Sequence, residues 1–99
     1  MDRLAVFTLK RSPKRWVMIL SEPHTALTGT VVAAPLFDAR AFPAAPVLNP
    51  FIEIGGVRFA LATEQMAAIR VKELGEHLTS CLQHEYAVAN AINRLFFGI

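Results

Sequence analysis

The titratable residues that could bind or cut a phosphate ester are spread along the sequence without forming a motif. RNA cleavage needs a base, an acid or a cation beside the scissile phosphate. The residues that could supply these groups are Arg15, Arg40, Arg58, Glu53 and His24. The other histidines, His77 and His84, lie in or near the C-terminal helical region. Because isolated titratable residues are usually structural, the sequence predicts no catalytic residue.

Metal and cofactor sites also lack a sequence signal. The chain has one cysteine, Cys81, so it has no internal disulfide and no cysteine pair for zinc. Neither a His-x-x-x-His pair nor a glycine-rich phosphate loop occurs. We therefore expect no metal and no cofactor, and we expect Cys81 to be a small buried apolar residue.

The C-terminal segment Gln83–Phe97 is the clearest helix, because it has many helix formers and contains no glycine or proline. Thr79 or Ser80 could cap its start, and Gly98 stands where helices commonly stop. Residues three and four apart share a helix face. The predicted buried face is Val88, Ile92, Leu95 and Phe96.

A second stripe of this helix combines two aromatic residues with two amides and carries no charge: Tyr86, Asn90, Asn93 and Phe97. Aromatic rings supply contact area and amides supply directed hydrogen bonds, so the stripe fits a face that binds another protein. A dimer interface or a partly buried face explains it equally well. The apolar run Leu95–Ile99 either docks on the core or is presented to a partner.

The rest of the sequence reads as strands and loops. The predicted strands are Leu4–Leu9, Arg15–Leu20, Thr30–Leu36, Phe51–Ile54 and Val57–Ala62, with a further one around Ile69–Val71. The predicted connections are a turn at Lys10–Lys14, a polar loop at Glu22–Thr28, a stiff surface loop at Arg40–Pro50 and a tight turn at Gly55-Gly56. Pro35 should sit near a strand end or on an edge, and Glu73–Leu82 should hold a helical turn. This order predicts a small antiparallel barrel or sheet with a helix packed on it.

Composition indicates one domain, residues 1–99, with more apolar surface than a small monomer can easily bury. Hydrophobic residues make up 54% of the chain and charged residues 18%, which favours a homodimer. No apolar run is long enough to span a membrane and no signal peptide is visible, so we expect a cytoplasmic protein. Net charge is +2, and the basic cluster Lys10, Arg11, Lys14 and Arg15 should be a solvated hairpin tip.

The closing residues Ala91–Ile99 resemble the closing motif of the CcdB toxin family, which ends Ala-Ile-Asn, two apolar residues, Phe, Trp, Gly, Ile. Upstream, Pro50–Gly55 resembles the family's Pro-apolar-apolar-X-Ile-Gly strand, and Val6-Phe7-Thr8 resembles its opening strand. The similarity covers nearly the whole chain and is densest after Pro50. It is weakest at Phe42–Asn49.

The resemblance implies a homodimer with an SH3-like barrel core and antiparallel strands. It implies a toxin that binds the A subunit of DNA gyrase while DNA is cut and that blocks resealing. The implied partner is a CcdA-like antitoxin, through which alone the pair binds operator DNA and represses its operon. A mildly basic toxin suits a partner with a disordered acidic tail.

Carried over by position, the gyrase-binding residues would be Asn93, Phe96, Gly98 and Ile99 on the last helix. Phe97 replaces the family's Trp there. Two consecutive Ile in the loop before the third strand are replaced by His24 and Thr25. Phenylalanine is the weaker cation–π partner and lacks the indole N–H, so these changes predict gyrase affinity that is reduced, retuned or lost.

Two alternatives remain open at the level of sequence. MazF and Kid toxins, which cleave RNA, share the barrel fold, and a fold does not fix a function. The other alternative is a non-toxic homologue that still binds an antitoxin.

Overall fold

Seven β-strands form one antiparallel sheet in the computed structural model, which describes residues 1–99. The strands are β1 (Ala5–Leu9), β2 (Ser12–Ile19), β3 (Thr30–Asp38), β4 (Phe51–Ile54), β5 (Val57–Leu61), β6 (Ala67–Arg70) and β7 (Leu74–Ser80). Their order is β4-β5-β3-β2-β1-β7, and β6 pairs with β3. The sheet curls into a half-barrel that carries one C-terminal helix, α1 (Glu85–Phe97). This confirms the predicted fold class.

The long strand β3 changes partners along its length. Its first half, Thr30–Ala33, pairs with β6, and Leu36–Asp38 pair with β5. Pro35 lies at the change, and its carbonyl accepts a hydrogen bond from the Ala62 N–H at 3.0 Å. The nitrogen and carbonyl of one strand residue point to the same side, so the missing N–H of Pro35 faces the gap between β6 and β5. Pro35 is therefore inside the strand rather than at its end.

Both faces of the sheet bury apolar side chains, because successive strand residues point to opposite faces. One cluster includes Val6, Met18, Leu61, Cys81 and Val88, and the helix covers it. A second cluster forms on the other face: Ala5, Val17, Ile19, Val31, Ala33 and Leu74. Cys81 is 1% exposed, as predicted, and burial raises the pKa of its thiol.

The first hairpin differs from the prediction, because its turn is only Lys10-Arg11. β2 begins at Ser12, which pairs with Leu9, and regular pairing resumes where Trp16 faces Thr8. The stretch Pro13–Arg15 between them bulges out of the ladder and is exposed. Lys14 and Arg15 therefore lie on the strand and not at the hairpin tip.

The predicted helical turn within Glu73–Leu82 is wrong, because Leu74–Ser80 form strand β7 against β1. Gly75 allows the two strands to approach closely, since a Cβ at this position would run into Thr8 Oγ1. The Glu76 N–H donates to that same hydroxyl oxygen at 2.9 Å. The register of the pair shifts twice, so β7 lacks the regular alternation that identifies a strand in sequence.

The connecting segments follow the prediction more closely. The Gly55-Gly56 turn joins β4 to β5, with φ of 59° and 79°. Residues 40–50 form a loop, although Asn49 is buried and its amide donates to the Leu61 carbonyl and to Glu64 Oε1. The predicted polar loop before β3 is a 3-10 turn, Pro23–Thr28.

Helix α1 starts two residues later than predicted, after a 3-10 turn at Leu82–His84. Thr79 and Ser80 belong to β7, so neither caps the helix, and His84 occupies the cap position without a side-chain hydrogen bond. Gly98 ends the helix, as predicted, with φ of 71°, and its N–H donates to the Arg94 carbonyl. At 13 residues, α1 falls short of the length that a bilayer span needs.

Candidate functional site

The last turn of α1 presents apolar side chains to solvent. Val88 and Ala91 are the buried helix residues, whereas Phe96, Phe97 and Ile99 are 61%, 70% and 83% exposed. We call these three residues the terminal patch. Phe96 was expected on the buried face. That expectation is wrong, because the helix packs on the core mainly through Val88, Ala91 and Ile92, which lie before its last turn.

The uncharged stripe continues from the terminal patch toward the start of the helix. Tyr86, Asn90, Asn93 and Phe97 are all exposed. The rings of Phe96 and Phe97 lie 6.4 Å apart. The turn at Gly98 sets Ile99 beside the helix and the loop before β4, on a cavity of about 470 Å³ that Asn90, Arg94 and Val47 also line. Apolar side chains and amide donors therefore form one continuous surface along the end of the helix.

His24 and Thr25 lie on the 3-10 turn before β3, and the structure does not bring them to the terminal patch. That turn packs through Ala26 against the second core cluster, whereas Val88 fixes the helix on the first. His24 is exposed, and its Nδ1 lies 2.6 Å from Glu22 Oε1. The hydrogen bond from His24 lowers the pKa of Glu22. Within one chain, the two parts of the predicted gyrase-binding surface are therefore separate.

A basic and aromatic groove between β2, β3 and β5 has no counterpart in the sequence prediction. We call it the β2–β3 groove. It has a volume of about 530 Å³, and its lining includes Lys14, Arg15, Trp16, Phe37, Asp38 and Phe59. A second cavity of about 230 Å³ shares Asp38 and is lined by Arg40 and Arg58. Strand pairing thus brings together three arginines that are far apart in sequence.

The Asp38 carboxylate is held by Arg40 in a two-point ion pair. Arg40 Nε donates to Oδ1 at 3.1 Å, and Nη2 donates to Oδ2 at 2.8 Å. These hydrogen bonds lower the pKa of Asp38 to about 2 and raise the pKa of Arg40. Asp38 is therefore ionised at neutral pH.

Aromatic contacts organise the other side chains of the groove. The Arg15 guanidinium lies 5.1 Å from the centre of the Phe37 ring, and Phe37 stacks on Phe42 at 4.9 Å. Trp16 and Phe59 are 5.1 Å apart. Each of the three arginines stands within two residues of an aromatic residue in the sequence, but only the pairing of the strands brings them near each other.

Comparison with models of protein families identifies the family of this chain. The family model described as "CcdB protein" matches residues 5–98. The chain belongs to the CcdB family. The match covers the turn of His24 and Thr25 and all of α1 through Gly98, and it supports a toxin.

Two solved structures share the CcdB-like fold of this chain. An "Endoribonuclease from Mycobacterial species" superposes with a TM-score of 0.73 at 16% identity, covering 94% of this chain and 88% of its own. The "Mycobacterium tuberculosis toxin MazF-mt6" superposes with a TM-score of 0.64 at 20% identity, covering 96% of both chains. At these identities the likeness concerns the fold alone.

In this CcdB-family chain, the residues named as candidates for RNA cleavage are only partly assembled. Arg15 lines the β2–β3 groove with Asp38, and Arg40 and Arg58 line the adjoining cavity with it. Glu53 lies outside the groove, in a cavity with His84 and Arg58, and His24 lies on its separate turn. No group of three or more His, Cys, Asp or Glu side chains is placed to hold a metal ion.

Proposed function

We propose that this chain is the toxin of a type II toxin–antitoxin system and that it binds the A subunit of DNA gyrase. In the proposed action, the bound toxin traps the gyrase–DNA cleavage complex and blocks resealing. The observation that carries this proposal is the terminal patch, in which Phe96, Phe97 and Ile99 are largely exposed. Membership of the CcdB family supports the toxin role.

The physical argument concerns what an exposed aromatic helix end can do. Burying exposed rings against a partner yields much of the binding energy of an interface, and aromatic residues dominate such sites. The neighbouring amides of Asn90 and Asn93 can supply directed hydrogen bonds without the cost of desolvating a charge. His24 and Thr25 would join the footprint only if gyrase reached the separate turn or if a second copy of the chain supplied it.

The proposed cellular partners follow from the family. A CcdA-like antitoxin would neutralise the toxin, and the pair would repress its own operon, with operator DNA bound only through the antitoxin complex. These partners place the proposed action in the cytoplasm.

RNA cleavage is the alternative that the groove geometry favours less. A general base works best with a pKa near the operating pH, whereas the pKa of Asp38 is about 2 and its two oxygens are bound to Arg40. The other acid–base candidates, Glu53 and His24, lie outside the β2–β3 groove. We therefore propose a protein that acts by binding and not by catalysis.

A gyrase cleavage assay tests the proposal. The full chain, the variants Phe97→Ala and Ile99→Ala, and a chain lacking Phe97–Ile99 would each be added to gyrase with plasmid DNA and ATP. We expect protein-linked linear DNA with the full chain, and strongly reduced linear DNA with the three variants. Leu82→Ala is the matched control, because Leu82 is also exposed but lies on the turn before the helix.

Each outcome bears on a different part of the proposal. Linear DNA with the truncated chain would show that the toxin surface is not the terminal patch. If the folded full chain produced no linear DNA, gyrase would be excluded as the target. Cleavage of RNA by the full chain under the same conditions would replace the binding mechanism with the ribonuclease alternative. Tight antitoxin binding without any gyrase effect would identify a non-toxic homologue.

A further inference from the structure

The β2–β3 groove and its adjoining cavity carry positive charge that no ion pair of the chain neutralises. The ion pairs of the protein are Arg3–Glu85, His24–Glu22 and Arg40–Asp38. Lys14, Arg15 and Arg58 take part in none of them. Asp38 is the only acid lining the groove and the adjoining cavity, and Arg40 occupies both of its oxygens.

These free cations stand beside ring faces. Arg15 lies over Phe37, and Arg58 lies over Phe51 at 5.3 Å. Phe37 is backed by the nearly parallel ring of Phe42, with 7° between the ring planes. The rings of Trp16, Phe37 and Phe59 line the groove and are half-buried, so they are fixed in place while part of each remains accessible.

Rigid ring faces interleaved with unpaired cations match one class of ligand particularly well. Single-stranded nucleic acid offers phosphates for cations and unpaired bases for stacking. Double-stranded nucleic acid keeps its bases stacked on each other, and an acidic peptide has carboxylates but no flat bases. The bulge Pro13–Arg15, which leaves the ladder, places Lys14 and Arg15 on the rim where a backbone could pass.

We propose that the β2–β3 groove is a binding site for single-stranded nucleic acid. Lys14 and Arg15 bind phosphates at the groove and Arg58 binds one at the adjoining cavity, while a base takes the Phe37 face that the Arg15 guanidinium otherwise covers. This site is separate from the terminal patch, so it does not rest on gyrase binding. Single-stranded RNA and DNA share the required chemistry, and the experiment distinguishes them.

Fluorescence anisotropy of labelled oligonucleotides of about ten nucleotides, a length within the usual range of site sizes, measures the binding. The probes are a U-only RNA, a T-only DNA, a DNA duplex of the same length and an abasic strand with the same phosphates. We expect one or both single strands to bind, with the stronger of the two naming the natural ligand. The duplex and the abasic strand should bind at least about tenfold more weakly.

Two matched double variants locate the site. Lys14→Gln with Arg15→Gln removes two charges from the groove, and Lys10→Gln with Arg11→Gln removes two charges from the hairpin tip. We expect the groove variant to weaken binding about tenfold and to reduce the salt slope by about 1.4, since each lost phosphate contact on a single strand contributes roughly 0.7. The tip variant should change binding by less than about threefold. Phe37→Leu keeps the position apolar and should also lose about tenfold.

Several results would overturn the proposal. Equal binding of the abasic strand would show a site for phosphates alone, and equal losses in the two double variants would show attraction by net charge. An acidic peptide that binds as well as the single strands would identify a peptide groove. Failure of all probes to bind at low salt would exclude a nucleic-acid site. The chain lacking Phe97–Ile99 should bind the single strands like the full chain, so the outcome is independent of gyrase poisoning.

Discussion

Phe97 is one of the residues at which the proposed gyrase surface departs from the family it resembles, which has Trp at this position. The Phe97 ring is 70% exposed at the end of the helix, so it does not pack on the core and is free for the proposed contact with a partner. A phenyl ring can still face a cation, but it attracts one less strongly than an indole and offers no N–H donor.

Restoring the indole tests that role. We expect Phe97→Trp to tighten binding to the gyrase A subunit about two- to fivefold, since the cation–π gain at an exposed site is about 0.5–1 kcal/mol. Surface plasmon resonance on immobilised gyrase A measures the affinity. Leu82→Trp adds an indole at another exposed position and should leave the affinity unchanged. Equal affinity of Phe97→Trp and the unaltered chain would contradict stacking on a cation.

The ion pair of Asp38 with Arg40 gives a prediction about pH. The folded-state pKa of Asp38 is about 2, below its ordinary value of 3.8. The ion pair therefore stabilises the fold fully above pH 3.8, and this stabilisation is lost as the pH falls through 2. We expect an NMR titration of the Asp38 carboxyl to show this low midpoint, and Arg40→Gln to move it back toward 3.8. Arg58→Gln removes an equal charge nearby without breaking the hydrogen bonds, so it should leave the midpoint low. A midpoint that Arg40→Gln does not move would refute the assigned cause.

Strand β7 depends on the absence of a side chain at Gly75. Its pairing with β1 needs the space that Gly75 leaves beside Thr8. We expect Gly75→Ala to lower the free energy of unfolding by roughly 1–3 kcal/mol, because overpacking of a close contact forces the backbone to shift. Urea unfolding measures the change.

A double-mutant cycle with Thr8→Ala provides the control for Gly75. Removing the Thr8 hydroxyl costs the hydrogen bond from the Glu76 N–H, but it also removes the atom that the new methyl group would meet. The two changes should therefore cost less together than the sum of their separate costs. Simple additivity would place the strain elsewhere.

The packing of helix α1 on the core can be tested by asking which side chains hold the helix in place. Val88 is 2% exposed within the first core cluster. We expect Val88→Ala to reduce stability by about 2 kcal/mol, from two buried methyl groups and the cavity they leave. Phe96→Ala removes a larger side chain at an exposed position and should stay within about 0.5 kcal/mol. If Phe96→Ala lowered the thermal stability more than Val88→Ala, Phe96 would belong to the buried face.

These elements also show what the sequence can and cannot predict. Strands β1, β4 and β5 and helix α1 follow from local signals, such as β-branched runs, the Gly55-Gly56 turn and the stop at Gly98. Strand β7 does not, because its bulged register is set by β1, which lies far away in the chain. Helical periodicity predicts which side chains share a face, but it does not show where the core beneath the helix ends, and Phe96 lies beyond that end.

The two candidate sites differ in the same respect, because one could be predicted from the sequence and the other could not. The exposed stripe of α1 could be predicted because its residues are neighbours on one helix and none is charged. The β2–β3 groove could not, because Arg15, Arg40 and Arg58 approach each other only through the pairing of β3 with β2 and β5. A site assembled by non-local strand pairing has no fixed spacing in sequence.

At the scale of the whole molecule, exposed apolar side chains occur on several separate surfaces. Besides the terminal patch, which Val47 adjoins, they include Leu27 on the turn before β3 and Phe51 on β4. The proposed gyrase binding would cover the terminal patch, but it leaves the other surfaces without an occupant. A second copy of the chain would cover such a surface, which is why the composition favours a homodimer.

The predicted homodimer can be separated from partner binding. We expect sedimentation equilibrium at micromolar concentration to give twice the chain mass of 10.9 kDa. A stable interface buries about 800 Å² on each partner, which is a small part of the 5990 Å² that the chain exposes. The chain lacking Phe97–Ile99 should sediment as the same dimer if the terminal patch is reserved for gyrase. A dimer that dissociates on truncation would mean that the patch joins two copies of the chain, and gyrase would then have to bind elsewhere. A monomer in both cases would rule out the dimer and leave the apolar surfaces to other proteins.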